Sequence, residues 1–134
     1  MVGPATSPAA EPLHGARTIP VLRMFALDRA REFYLGFLGF RLDWEHRFEP
    51  GMPVYMQVSR GDVALHLSEH HGHGSPGIVV FVSMEGLDAF HAEITAKGYA
   101  YLRPGIEPRD WGREMTVTDP FGNRIRFTEQ RGSH

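Results

Sequence analysis

The chain has 134 residues, enough for one domain with its own core and too few for two ordinary ones. Sixteen acidic against fourteen basic side chains leave a formal charge of −2, which disfavours a nucleic-acid backbone or an anionic membrane as partner and suits a small, roughly neutral guest. The lack of cysteine excludes disulfides, thiolate metal sites and a thiol nucleophile, and no apolar run approaches the roughly 20 residues that span a bilayer, so with no basic-then-apolar leader a cytoplasmic location is expected.

Residues 1–17 combine prolines and alanines with no amphipathic period, and a disordered arm is expected there. A single domain is expected over 18–130, with 131–134 as a short tail. Thr18 to Met24 predicts a first strand, with Pro20 near its start where a missing donor is tolerable. Asp28 is placed to cap a helix whose apolar stripe is Ala30, Phe33, Tyr34, Phe37 and Leu38, ending at Gly39. Phe40 to Phe48 and Pro53 to Ser59 predict the second and third strands, separated by Glu49-Pro50-Gly51-Met52. Arg60-Gly61-Asp62 turns the chain into the fourth, Val63 to Ser68. Alternation puts Val54, Met56, Val58, Leu65 and Leu67 on an apolar face and Tyr55, Gln57, Ser59, His66 and Ser68 on a polar one.

A polar loop rich in histidine and glycine follows, Glu69 to Pro76. Gly77 to Ser83 is an apolar run of strand length, and Leu87, Phe90, Ala92 and Ile94 mark a second helix that stops at Lys97-Gly98. Tyr99 to Arg103 is expected to begin another strand, with Pro104 to Asp110 as a loop. The last segment reads as a hairpin in which Glu114 to Thr118 and Arg124 to Thr128 alternate, joined by Asp119-Pro120-Phe121-Gly122. There Pro presets one turn dihedral and Gly accepts a positive φ. Met115, Val117, Ile125 and Phe127 share its core face, leaving Glu114, Thr116, Thr118, Arg124 and Arg126 on the other.

The two halves repeat. Gly39-Phe40 recurs as Gly98-Tyr99, Arg60-Gly61-Asp62-Val63 recurs as Phe121-Gly122-Asn123-Arg124, and each half reads strand, helix, three strands. The expected fold class is α+β: two tandem βαβββ modules, about 18–68 and 77–130, whose curved sheets surround a cleft with the helices outside. The polar strand faces would line that cleft.

This doubled module, with Phe33-Tyr34, Leu38-Gly39-Phe40 and Asp119-Pro120-Phe121-Gly122-Asn123, resembles the vicinal oxygen chelate superfamily of glyoxalases, extradiol dioxygenases and antibiotic-binding resistance proteins. Ile19-Pro20-Val21-Leu22, the run Arg60 to Ser68, and Trp111-Gly112-Arg113-Glu114 ahead of the Asp-Pro-x-Gly-Asn turn look like its bleomycin resistance branch. The resemblance implies a homodimer with a cleft between subunits, an N-terminal strand exchanged around Pro20, and aromatic contacts from Trp44, Phe48 and Trp111 to a flat ligand. Strand phase adds Tyr55, His66, Glu114 and Arg126. The implied function is non-catalytic binding and sequestration of a bleomycin-type antibiotic or another aromatic molecule. The bleomycin binders of that branch are strongly acidic, whereas this chain is nearly balanced and brings Arg47, Arg109, Arg113, Arg124 and Arg126 toward the cleft, a pattern suited to a neutral or anionic guest.

The alternative is a metal-dependent lyase or dioxygenase. The superfamily's metal ligands would fall at Ile19, His66, Val79 and Arg126, only one of which can ligate, whereas a catalytic site needs about three protein ligands. No cofactor and no resident metal are therefore expected. Blander readings stand beside these: Trp111 as rim filler, Trp44 and Phe48 as an interface, His66 as a hydrogen-bonded histidine, His70, His71 and His73 as an adventitious metal binder, and Arg124 and Arg126 as exposed partners of Glu114.

Overall fold

The computed structural model describes residues 10–100 and 102–130. Of the expected arm, residues 10–17 form no helix or strand and lie exposed. Its first nine residues and the tail at 131–134 fall outside the described residues.

Strand β1 (Val21–Arg23) leads into helix α1 (Leu27–Arg31), which passes directly into a π-helical segment, Glu32–Phe37. Strands β2 (Arg41–His46), β3 (Tyr55–Arg60) and β4 (Val63–Ser68) complete a sheet ordered β1-β4-β3-β2, with β1 parallel to β4. The second module repeats the plan. Strand β5 (Val79–Ser83), helix α2 (Leu87–Ala96), and strands β6 (Ile106–Arg109), β7 (Gly112–Thr118) and β8 (Arg124–Gln130) build a sheet ordered β5-β8-β7-β6. Neither sheet closes into a barrel. The apolar faces of both sheets and both helices meet in one core that includes Leu22, Tyr34, Met56, Leu67, Met115 and Ile125. The polar faces turn away from it.

The first helix departs from expectation in two ways. It starts two residues early, at Leu27 behind Ala26, so Asp28 sits within its first turn and makes no cap hydrogen bond, although a carboxylate there still suits the amide end of the helix. Its second half is wider than an α-helix: the N–H of Leu38 donates to the carbonyl of Phe33 at 2.9 Å, five residues back. The end of this segment is secured by one side chain from each module. Lys97 Nζ donates to the carbonyls of Gly36 (2.7 Å) and Phe37 (2.8 Å), and Arg60 to that of Leu38 (2.9 Å). Gly39, at φ +74°, then reverses the chain in the left-handed region that glycine enters without steric cost. The predicted stripe is nonetheless buried throughout.

Ala92 was expected on the buried stripe of α2 but is exposed, leaving Leu87, Phe90 and Ile94 to carry the packing. The strand expected from Tyr99 forms later, as β6. Tyr99 instead turns, its carbonyl accepting the N–H of Leu102 at 3.4 Å, and lays its ring edge-on to Phe37 at 5.2 Å, where core packing outweighs its strand propensity. Pro108 is tolerated in β6 because that strand is an edge.

The final hairpin keeps the expected faces, with Thr118 opposite Arg124 and Thr116 opposite Arg126, and Gly122 takes φ +88°. Its turn joins the modules. Asp119 Oδ1 accepts the N–H groups of Phe121 and Asn123 at 2.8 Å each, and its Oδ2 accepts from the Tyr34 hydroxyl at 2.6 Å and Asn123 Nδ2 at 2.9 Å. Asn123 Nδ2 also reaches the carbonyl of Arg23 at 2.9 Å, and its Oδ1 accepts the N–H of Ile78 at 3.3 Å. Burial, then the Asp119 charge and hydrogen bond, push the Tyr34 phenol well above its ordinary range, so it stays a donor.

Candidate functional site

On the polar face of the first sheet, register sets two rows across the strands. Val21, His66, Gln57 and Trp44 form one; Arg23, Ser68, Tyr55 and His46 form the next. A bulge in β2 between Leu42 and Trp44 sets this phase and frees Asp43 to reach inward. A directed chain of hydrogen bonds follows. The Asp43 carboxylate can only accept, so Gln57 Nε2 donates to it at 2.9 Å, and the Gln57 carbonyl therefore faces His66 Nε2, also at 2.9 Å. That nitrogen must carry the proton, which leaves Nδ1 of the neutral ring to accept from the Tyr55 hydroxyl at 2.7 Å.

The electrostatics agree with this assignment. Hydrogen bonds from Gln57 and Ser59, and then Arg41, hold the Asp43 carboxyl at about 2 against the opposing effect of burial. Burial, then the charge of Arg17, lowers His66, and burial raises Tyr55, so histidine and phenol are both held neutral. Trp44 lies parallel to Tyr55, with ring planes 8° apart and centroids 5.9 Å apart, and edge-on to His66 at 5.3 Å. It is 42% exposed. His73, from the loop after β4, stands edge-on to Tyr55 at 5.8 Å and within 3.0 Å of Ser68 Oγ, so Ser68 is buried rather than open to a cleft.

On the second sheet the polar face is organised by Glu114, which is 2% exposed. Its Oε1 accepts from Arg126 at 3.0 Å and Arg109 at 3.2 Å, and its Oε2 accepts from the buried Thr128 hydroxyl at 3.0 Å. Burial alone would raise the carboxyl, but the hydrogen bonds from Arg126, Thr128 and Arg109 outweigh it and hold it below the ordinary range. The pairing expected across this hairpin is thus a half-buried network, and it takes in Arg126 but not Arg124.

The remaining expected contacts are more scattered. Trp111 is not a strand residue: with Asp110 it forms the two-residue turn between β6 and β7, 44% exposed. Phe48 lies beyond the end of β2, 74% exposed, its ring edge-on to His46, so it does not alternate in phase with Trp44. Thr116 and Thr118 border grooves beside the first helix, because β6 pairs only as far as Met115 and leaves β7 open beyond it. A cavity of about 540 Å³ is lined by Thr118 with Asp28, Glu32 and Tyr99 among others, and one of about 340 Å³ by Phe40, Val82 and Phe90 among others. Neither includes the Trp44 or the Glu114 group, and no hydrogen bond, ion pair or ring contact joins those two groups among the described residues. Among the described residues the two groups thus stand as separate polar clusters, one on each sheet.

A resident divalent metal does not fit these residues. Ile19 and Val79 are aliphatic, Arg126 is engaged with Glu114, and His66 has both ring nitrogens occupied by Tyr55 and Gln57. Among the described residues no group of three or more His, Asp or Glu side chains converges on a metal position, His70 and His73 included. Sequence reasoning missed Asp43, Thr128 and Arg23. Arg23, alternating with the core residues Leu22 and Met24, and Thr128, two residues beyond Arg126, carried a phase signal that could have found them, whereas Asp43 did not.

Residues 6–134 match the model of a family described as glyoxalase superfamily protein. A bleomycin-binding protein crystallised with bleomycin is similar in structure, with 22% identity, TM-score 0.67, and coverage of 87% of this chain and 99% of that one. TnmS3, an antibiotic binding protein from Streptomyces sp. CB03234, is 20% identical with TM-score 0.64, covering 89% of this chain and 100% of its own. A glyoxylase/bleomycin resistance protein/dioxygenase domain from Frankia sp. EAN1pec reaches TM-score 0.69 at 16% identity, covering 90% and 100%. At such identities the likeness is one of fold. A search of curated proteins finds no significant match.

Proposed function

The chain belongs to the glyoxalase superfamily, and from that premise we propose that it is a non-catalytic binder that sequesters a flat aromatic small molecule, either a bleomycin-type antibiotic or another aromatic guest. The observation that carries this reading is Trp44. An indole nearly half exposed is ordinarily mobile, but here it is held parallel to Tyr55 and edge-on to His66, both fixed by the chain that ends on Asp43. Its free face is a preorganised stacking surface, and each aromatic pair made there contributes roughly 0.5–1.5 kcal/mol beyond burial. His66 and Tyr55 supply hydrogen-bonding edges beside it. Trp111 and Phe48 are further exposed rings, and Glu114 with Arg126 forms the polar element on the other sheet.

The second element reaches the guest through a homodimer in which the polar face of the first sheet meets the second sheet of the partner subunit, with β1 exchanged around Pro20. In the single chain β1 pairs with its own β4, the Pro20 carbonyl accepting the N–H of His66 at 2.9 Å. Each four-stranded sheet also ends in edge strands that a second copy can cover.

The test is a titration of bleomycin and a panel of flat aromatic compounds followed by tryptophan fluorescence, with light scattering for assembly. Saturable quenching that weakens about tenfold in Trp44→Ala, from a protein that scatters as a dimer, is the expected result. The reading fails if no compound gives a response, or if the response is the same in Trp44→Ala.

A further inference from the structure

Arg23 is 8% exposed, its Nε is completely buried with no hydrogen-bond partner, and its guanidinium makes no hydrogen bond or ion pair among the described residues. It lies over the ring of Phe25 at 4.8 Å. A cation above an aromatic face is a weak interaction, and it does not replace the acceptor lost when the Nε–H leaves water. Buried polar groups in folded proteins are nearly always paired, and a charged one without an acceptor points to a partner that arrives from outside the chain.

The register says where that partner sits. Arg23 is opposite Ser68, and Ser68 is opposite Tyr55, so all three share the polar face that carries Trp44 and His66. Two strand spacings separate Arg23 from Tyr55, roughly 10 Å. The loop after β4 walls the far end: a side chain at Gly74 would come within 2.8 Å of the Val21 carbonyl, so only glycine lets the loop lie this close to β1. The face thus has an aromatic platform at one end and, among the described residues, an unpaired guanidinium at the other, with His73 lying over Ser68 between them.

We infer that the guest of this face is an aromatic carboxylate, its ring system on Trp44 and Tyr55 and its acid group on Arg23. This rests on the proposed aromatic binding and names its substrate class. A carboxylate matches the planar fork of a guanidinium through two parallel hydrogen bonds, and the two strand spacings between Arg23 and Tyr55 are on the scale of a bicyclic aryl acid. A cationic antibiotic would place like charge against Arg23.

The test is isothermal titration of the full chain with 2-naphthoate and with 2-naphthamide, flat probes of the same shape that differ in charge. The acid is expected to bind at least tenfold more tightly than the amide, and Arg23→Met to bring that ratio close to one. Because Arg23→Met removes a buried unpaired cation, it is also expected to raise the melting temperature of the ligand-free protein. Should that variant fail to fold, Arg23→Lys carries the comparison: it keeps the charge but not the fork, and the ratio should fall by several-fold. Equal affinities in the unmodified chain overturn the inference and leave the aromatic site standing. A preference for the acid that survives in a folded Arg23 variant also overturns it. If neither probe binds, the aromatic reading and the inference fall together. Conversion of a dimer to a monomer by Arg23→Met would assign the missing acid to a second copy and overturn the small-molecule assignment.

Discussion

Glu114 offers the sharpest test of the second polar group, because its three partners are lost differently on truncation. In Glu114→Ala the Thr128 hydroxyl, which has no exposed surface, is left without its acceptor at a cost of about 1–3 kcal/mol. The Arg109 and Arg126 side chains are 36% and 35% exposed and can turn to water, so after screening each contributes only roughly 0–1 kcal/mol. Urea unfolding at pH 7 should therefore show a loss of about 3 kcal/mol. Glu114→Gln keeps an acceptor for one arginine, and its amide can donate to a rotated Thr128 hydroxyl, so about 1 kcal/mol is expected. The pH dependence separates charge from shape. The folded carboxyl lies below its unfolded value, so its stabilisation is complete above the unfolded value of about 4.3 and is lost as pH falls through the folded one. Glu114→Gln should thus flatten the decline in stability between pH 5 and acid, both bounds being about those set by the carboxylate range. A loss below about 1 kcal/mol in Glu114→Ala, or an acid slope in Glu114→Gln identical to that of the unchanged chain, would refute the account of this network.

Asn123→Ala leaves the Arg23 carbonyl and the Ile78 N–H without partners and should cost about 3 kcal/mol by chemical denaturation, with both modules unfolding together. His66 should titrate below its ordinary 6.5 by NMR, since burial and then Arg17 disfavour its cation. Its unfolded form then binds the proton more readily, so stability falls as pH drops through that value, and Arg17→Gln should move the midpoint upward. Arg60→Met removes a half-exposed pair with Glu93 and the hydrogen bond to the Leu38 carbonyl, and a loss of about 1 kcal/mol in thermal unfolding is expected.

Where local pattern decides the structure, the sequence was enough. Alternation in the last hairpin and in β3 and β4 places each side chain on its face, because a single residue of slip would bury every polar group. The elements that depend on distant partners were not legible. Nothing local distinguishes an α-turn from the wider one at Glu32–Phe37, since the carbonyls it leaves are satisfied by Arg60 and Lys97 from far along the chain. Tyr99 to Arg103 reads as a strand until the ring of Phe37 is placed beside Tyr99. In the candidate site, phase brought Tyr55, Gln57 and His66 together, but Asp43 needed a bulge that composition does not announce.

The residues that carry the family resemblance and the residues proposed to touch the guest differ in a physical way. Around Asp119 and Asn123 the hydrogen-bonding capacity is used internally: both carboxylate oxygens accept two bonds each, and the Asn123 amide bridges the two modules. A site saturated in this way fixes geometry and has nothing left for a ligand. Trp44 keeps a free face on a rigid support, and Arg23 keeps a buried Nε–H that nothing among the described residues accepts. Those unused capacities destabilise the free protein slightly and are recovered only when something binds, which is the energetic signature of a surface built for an external partner. It follows that substitutions at Asp119 and Asn123 should act on stability at every ligand concentration, whereas those at Trp44 and Arg23 should act on the stabilisation that ligand adds. Melting temperatures measured across a 2-naphthoate titration separate the two groups: a parallel downward shift for the first, and a flattened ligand response for the second.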